Sequence, residues 1–195
     1  MLITQTVDVG QPLAMVWDFF GDIPQVAACL PGANLTKEVG ENQYEGDVVI
    51  KAGPVKLEFA GAAEIKDRNE STKTLQVAAS GSDKKGRGAA SMVLTAALTP
   101  AGSGTKVKIS LDLQISGAAA QYGRGMVSDV TAVLISQFAA TMQSRLTAIS
   151  QGLDPNQVAG PKPASGLMLG LQATGMALKR VFNRFFLPYK PQPSR

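Results

Sequence analysis

The hydrophobic repeat of this chain changes once, after Ser116-Gly117, and that change decides which architectures are open to it. Before it, apolar residues recur at every second position. In Thr105–Ile115, Val107, Ile109, Leu111 and Leu113 alternate with Lys106, Lys108, Ser110 and Asp112. Successive side chains of a strand point to opposite faces, so this pattern predicts an antiparallel sheet covered on one side only. After the change, Met126, Val130, Val133, Leu134, Phe138, Met142, Leu146 and Ile149 recur at spacings of three and four. Residues 118–150 contain no Pro, and their last Gly is Gly125. A helix of about 25–30 residues follows from that spacing. A striped helix and a one-sided sheet each need a partner, and each supplies the other's. The expected fold is therefore α+β, a curved antiparallel sheet wrapped round a long C-terminal helix.

The remaining elements fit this frame. Leu2–Val9 reads as a strand. Pro12 suits the first turn of a helix carrying Leu13, Val16, Trp17 and Phe20, and a second short helical turn spans Ile23–Leu30 before Pro31-Gly32. Strands are expected at Leu35–Val39, Tyr44–Lys51, Val55–Arg68, Ser71–Ala79 and Ala89–Leu98. The polar stretch Ser80–Gly86 is expected to be a turn, and Lys84-Lys85-Gly86-Arg87-Gly88 a basic hairpin tip. The predicted organisation is a domain over 1–150, a Pro/Gly linker over 151–166, a helix over 167–187 and a structureless end over 188–195.

Composition removes several function classes. The 195 residues include no His and one Cys, Cys29. Ser-His-Asp triads, Cys-His pairs and His-containing metal motifs are therefore excluded, as is an internal disulfide. No catalytic or metal-ligating set is read from the sequence, and its acids fall mostly on wet strand positions. The amino-terminal segment lacks the basic and apolar regions of a signal peptide. Residues 1–150 carry 13 Lys/Arg and 14 Asp/Glu, so the net +4 belongs to the remainder. A near-neutral body argues against a broad nucleic-acid footprint.

That remainder is distinctive. On a helical projection Leu167, Leu171, Leu178, Phe182 and Phe185 share one sector with Phe186 beside it. Lys179, Arg180 and Arg184 fall opposite. An exposed face with three Phe needs somewhere to bury itself. Lys179 and Arg180 stop the apolar run too early for a membrane span. An in-plane helix on an anionic membrane surface suits the pattern, and docking on protein is the competing outcome. Small residues line the strands at Ala60-Gly61-Ala62-Ala63 and Gly88-Ala89-Ala90 and open the long helix at Ala118-Ala119-Ala120. Either helix and sheet pack closely there, or the missing volume holds an apolar ligand. Trp17, Phe20, Phe59, Tyr122, Met126 and Val130 are the bulky candidates for such a pocket.

Several segments, in order, resemble the CoxG family of carbon monoxide dehydrogenase proteins, within the START-like (SRPBCC) helix-grip superfamily. They are Trp17-Asp18, Leu30-Pro31-Gly32-Ala33, Tyr44-Glu45-Gly46, Lys51-Ala52-Gly53-Pro54-Val55 and Phe59-Ala60-Gly61. Gly104-Thr105, Ser116-Gly117 and Ala120-Gln121-Tyr122-Gly123-Arg124 complete the series. The resemblance covers about residues 1–148. It implies a cavity under the long helix and a non-enzymatic accessory role beside a molybdenum hydroxylase such as aerobic carbon monoxide dehydrogenase. It also implies a bound quinone as the apolar ligand, electron transfer, and cytoplasmic placement with peripheral attachment to the inner membrane. The alternatives are a ligand-free recruitment or assembly adaptor with a solid core, and an enzyme using Tyr122 or a carboxylate.

Overall fold

Residues 1–52, 55–158 and 160 are described by the computed structural model of the chain, without the side chains of Ala52, Val55, Ala119 and Tyr122. The expected helix over 167–187, the end over 188–195 and most of the linker lie outside the described residues.

Leu2–Val9 forms β1, and Leu13–Phe19 and Ile23–Cys29 form the short helices α1 and α2. Six strands follow: β2 (Ala33–Gly40), β3 (Gln43–Ala52), β4 (Val55–Asn69), β5 (Thr74–Asp83), β6 (Ala89–Ala101) and β7 (Gly104–Ile115). A 3-10 turn over Gly117–Tyr122 leads into α3, Gly123–Ser150. The seven strands make one antiparallel sheet in the order β1-β7-β6-β5-β4-β3-β2. Consecutive strands from β2 to β7 are neighbours, and β1 closes against β7. This is the curved sheet and long helix of the START-like fold.

Two boundaries differ from the sequence reading. β5 begins at Thr74 and runs to Asp83, through the polar stretch expected to be a turn. Asn69 accepts hydrogen bonds from the backbone N–H groups of Ser71 and Thr72, which pulls 70–73 into the turn. At the other end, pairing on both sides through Ser82 holds Ser80–Ser82 in the strand despite their polarity. The long helix begins at Gly123 rather than Ala118. Gly123 has φ 74° and ψ 156°, outside the helical region, so the helical path breaks there and the three alanines stay in the 3-10 turn.

Register identifies the face that meets the helices. Val107, Ile109 and Leu111 of β7 are buried while Lys106, Lys108 and Asp112 are exposed. Following the pairs across the sheet places Leu75, Val77 and Ala79, Ile65, Ala63 and Phe59, and Val48 and Ile50 on this inner face. The core occupies one end of it. Val16, Trp17, Phe19 and Phe20 from α1 and Phe138, Met142 and Leu146 from α3 pack with Leu75, Ala96, Leu98, Val107 and Ile109. Phe20 and Phe138 lie 6.4 Å apart, centroid to centroid, in a tilted arrangement. Cys29 is wholly buried here, and burial pushes its thiol up to about 11. α3 is long and apolar enough by composition to cross a membrane. Its apolar stripe is instead applied to the sheet, and its buried Arg145 donates to Gln25 of α2.

The two ends of α3 should therefore respond differently to truncation. Met142→Ala should cost about 3–4 kcal/mol, because the side chain is fully buried and leaves a cavity. Met126→Ala, at a side chain 49% exposed, should stay within about 0.5 kcal/mol. Urea unfolding midpoints of the two variants measure this, and equal losses would contradict the asymmetric packing.

Candidate functional site: the open half of the grip

α3 is seated along only part of its length. Between Thr131 and Ala148 eight of its residues are buried; from Gly123 to Val130 none is. The inner face of the sheet opposite that uncovered stretch is apolar and equally uncovered. Val48 and Ile50 of β3, Leu57 and Phe59 of β4, Met92 of β6, and Leu113 and Ile115 of β7 are all half-buried. None of them belongs to the packed core. Val127, Val130 and Leu134 of α3 are half-buried too. Helix and sheet thus share an apolar surface that neither covers for the other, and burying such surface is favourable by about 25 cal/mol per Å².

The backbone explains why the grip stays wide. Gly46, Gly61 and Gly81 are cross-strand neighbours in β3, β4 and β5, followed by Ala90 in β6. A Cβ on Gly61 would stand 2.0 Å from the Ser80 carbonyl oxygen, and one on Gly46 2.7 Å from that of Asn34. Only glycine permits these approaches, so a row without side chains crosses the middle of the sheet. Ala63 and Ala79, paired in the next inward row, keep it shallow. Tyr44 lies beyond them on the same face, where burial, assisted by Glu38, raises its phenol above the ordinary value.

The mouth is braced by one buried carboxylate. Asp83 ends β5 and accepts from Arg87 Nε at 2.8 Å and Nη2 at 2.9 Å, and from the backbone N–H groups of Glu58, Lys85 and Arg87. Arg87 also donates to the Lys56 carbonyl at 2.7 Å. This array, led by the Arg87 hydrogen bonds, holds the Asp83 carboxyl well below the usual carboxylate range. The Lys84–Gly88 segment is accordingly a hairpin tip, ordered by its own aspartate.

The six pocket candidates do not gather in one place. Phe59 and Val130 lie on the open half, and Met126 stands exposed at its edge. Trp17 and Phe20 sit in the packed end. Trp17 is fixed on every side: its indole N–H donates to Glu70, and the Arg68 guanidinium lies 4.7 Å from the ring centroid while donating to the Trp17 carbonyl. The Tyr122 side chain lies outside the described residues, as do the nine tail residues from Leu167 to Phe186 named for membrane contact. Sequence reasoning misses Leu57, Met92, Leu113, Ile115 and Leu134 as lining residues. Alternation in β7 and helical spacing from Val127 and Val130 carry the signal for three of them. The strand pairing needed to place the others is not local. Two depressions of about 780 and 490 Å³ lie on the outer face of the sheet, floored by Ala60, Ala62, Ala78 and Ser80. Neither is lined by α3.

Comparison with known proteins agrees with this geometry. Residues 6–147 match the family model for CoxG, the G-type subunit of carbon monoxide dehydrogenase. No curated protein matches the chain. Among solved structures, a conserved protein from Geobacillus kaustophilus superposes with a TM-score of 0.69 at 21% identity, covering 75% of this chain and 95% of that one. The Zhui aromatase/cyclase from Streptomyces sp. R1128 gives 0.57 at 11% identity, covering 77% and 95%. Ara h 8.0201 gives 0.50 at 16%, covering 76% and 98%. At these identities the likeness establishes the fold.

The Asp83 brace has a pH signature. A carboxyl whose folded-state pKa is depressed stabilises the fold above its unfolded value of about 3.9 and loses that contribution as pH falls below it. Asp83→Asn should therefore be less stable than the parent at pH 7, and the gap should narrow between pH 4 and pH 2. Urea midpoints at pH 7 and pH 2.5 measure it; a gap that stays constant would remove Asp83 as the source.

Proposed function

We propose, from the premise that this chain belongs to the CoxG family of carbon monoxide dehydrogenase proteins, that it carries an apolar small molecule in the open half of its grip. The observation behind this reading is the uncovered apolar lining between the first turns of α3 and the inner faces of β3, β4, β6 and β7. A fold that left this surface to water would forgo stabilisation at no evident gain. A ligand of matching length recovers it. The family's name ties such proteins to carbon monoxide dehydrogenase, and we take the partner here to be an enzyme of that molybdenum hydroxylase type. We take the passenger to be a quinone, an apolar electron carrier that such an enzyme can use as acceptor. The redox chemistry then belongs to partner and passenger, and this chain binds, shields and delivers.

Membrane attachment completes the reading. In sequence, residues 167–187 form an apolar-basic helix pattern, and residues 155–195 carry six Lys/Arg and no acid. Laid in a membrane surface, such a helix raises the local concentration of both passenger and partner. Attachment at the inner membrane follows from this pattern together with the family.

Purified protein expressed with its membranes present should yield an apolar compound on solvent extraction and mass spectrometry. Ala79→Phe, which adds a ring at an inner-face position beside Ala63, should reduce the extracted amount at least tenfold while leaving the fold intact. Protein that extracts clean, with and without the substitution, would favour an adaptor without a passenger.

A further inference from the structure

We propose that the open end of the grip is itself a docking surface for an anionic lipid bilayer, so that the passenger passes between membrane and hollow without crossing water. The proposal rests on the carrier reading above and names the partner of that same site.

The tips at this end form one connected rim. Lys84 N–H donates to the Glu58 carbonyl at 2.7 Å, Arg87 Nη2 to that of Lys56 at 2.7 Å, and Ala118 N–H to that of Arg87 at 2.7 Å. Val49 N–H donates to the Gly32 carbonyl at 2.9 Å, which joins the α2–β2 connection. This rim gathers Lys51, Lys56, Lys84, Lys85, Arg87 and Arg124. The carboxylates among them are Asp47, Glu58, Asp83 and Asp129; the first three are held by Lys84, Lys56 and Arg87 respectively. Lys51 stands directly opposite Lys56 across the β3–β4 pair, an arrangement that costs a sheet stability and that folding does not call for. Even in their ion pairs the Lys56 and Lys84 side chains are 55% and 45% exposed. The turns at the opposite end of the sheet bear Glu41, Glu70 and Lys73, with Asp22 in the α1–α2 connection. The domain is near neutral in sum, yet its positive charge is collected where the hollow opens.

The apolar side chains of the rim complete the pattern. Met126 is 49% and Leu30 44% exposed. Cations surrounding flexible aliphatic tips suit a headgroup layer over acyl chains, where each Lys or Arg strengthens binding roughly fivefold.

The test uses the full chain. Cys29 is buried with its thiol pushed up to about 11, so an environment-sensitive fluorophore can be placed selectively through Met126→Cys. Vesicles of phosphatidylglycerol and phosphatidylcholine should shift its emission to the blue; pure phosphatidylcholine should not. Combining Lys51→Gln, Lys85→Gln and Arg124→Gln, which leaves the three ion pairs in place, should weaken the vesicle affinity read from this probe roughly a hundredfold. Protein that floats with vesicles while the probe stays in water would overturn mouth docking and leave tail attachment standing. An equal shift on neutral vesicles would overturn the role of the cations, and absence of flotation would overturn both. A probe that responds in protein yielding no passenger would keep the docking surface and remove the carrier reading.

Discussion

The seating of α3 against α1 and the far end of the sheet is the contact on which the rest of this structure depends. Met142 and Leu146 are completely buried in one cluster with Val16, Trp17, Leu98 and Val107. Because this anchorage lies in the second half of the helix, the first half is a cantilever. Its Gly123 and Gly125 have no heavy atom within 4 Å of where a Cβ would stand. One end can be well packed without forcing the other to close, which separates the part of the chain that supplies stability from the part that can accept a guest.

The sheet takes up the other half of this division. Gly46, Gly61 and Gly81 let neighbouring strands bend closely, and they remove side-chain volume from the inner face along the same row. Curvature and depth therefore come from one set of residues. The glycines weaken each strand individually, since glycine gives up conformational freedom without adding a side chain to pack. That loss is offset by the length of β4 and β5, which carry pairing partners on both edges.

Much of the architecture is legible in the sequence because two periodicities are unusually clean. Alternation from Val107 to Leu113 and the spacing from Val130 to Leu146 are enough to state both layers and their order. What is illegible depends on pairing between distant strands. Ser80–Ser82 look like a turn until β4 and β6 are placed on either side of them. Trp17 and Phe59 are both bulky aromatics beside helix or strand signals. Only the tertiary structure separates the tryptophan held by Glu70 and Arg68 from the phenylalanine left half-covered on the open side. The family segments identify the fold and the accessory class, but an aromatic within such a segment carries no label for packed or open.

Charge shows the same limit in another form. Summed along residues 1–150, 13 cations against 14 anions imply an electrically plain body. The antiparallel meander overturns that impression geometrically, because alternate hairpins turn at opposite ends. The β3–β4 and β5–β6 turns share one end, and the 3-10 turn before α3 joins them there. Lys51 and Lys56, Lys84 to Arg87, and Arg124 are separated by tens of residues in sequence and adjacent in space. A meander can thus polarise a neutral domain simply by assigning its basic turns to the odd hairpins. Folding needs no such assignment: Asp83 would brace its hairpin with Arg87 alone, and Lys85 takes part in that brace only through its backbone. The placement of the remaining cations beside an uncovered apolar hollow is what turns a structural arrangement into a directional one, in which the loose end of the grip is also the end that faces an acidic surface.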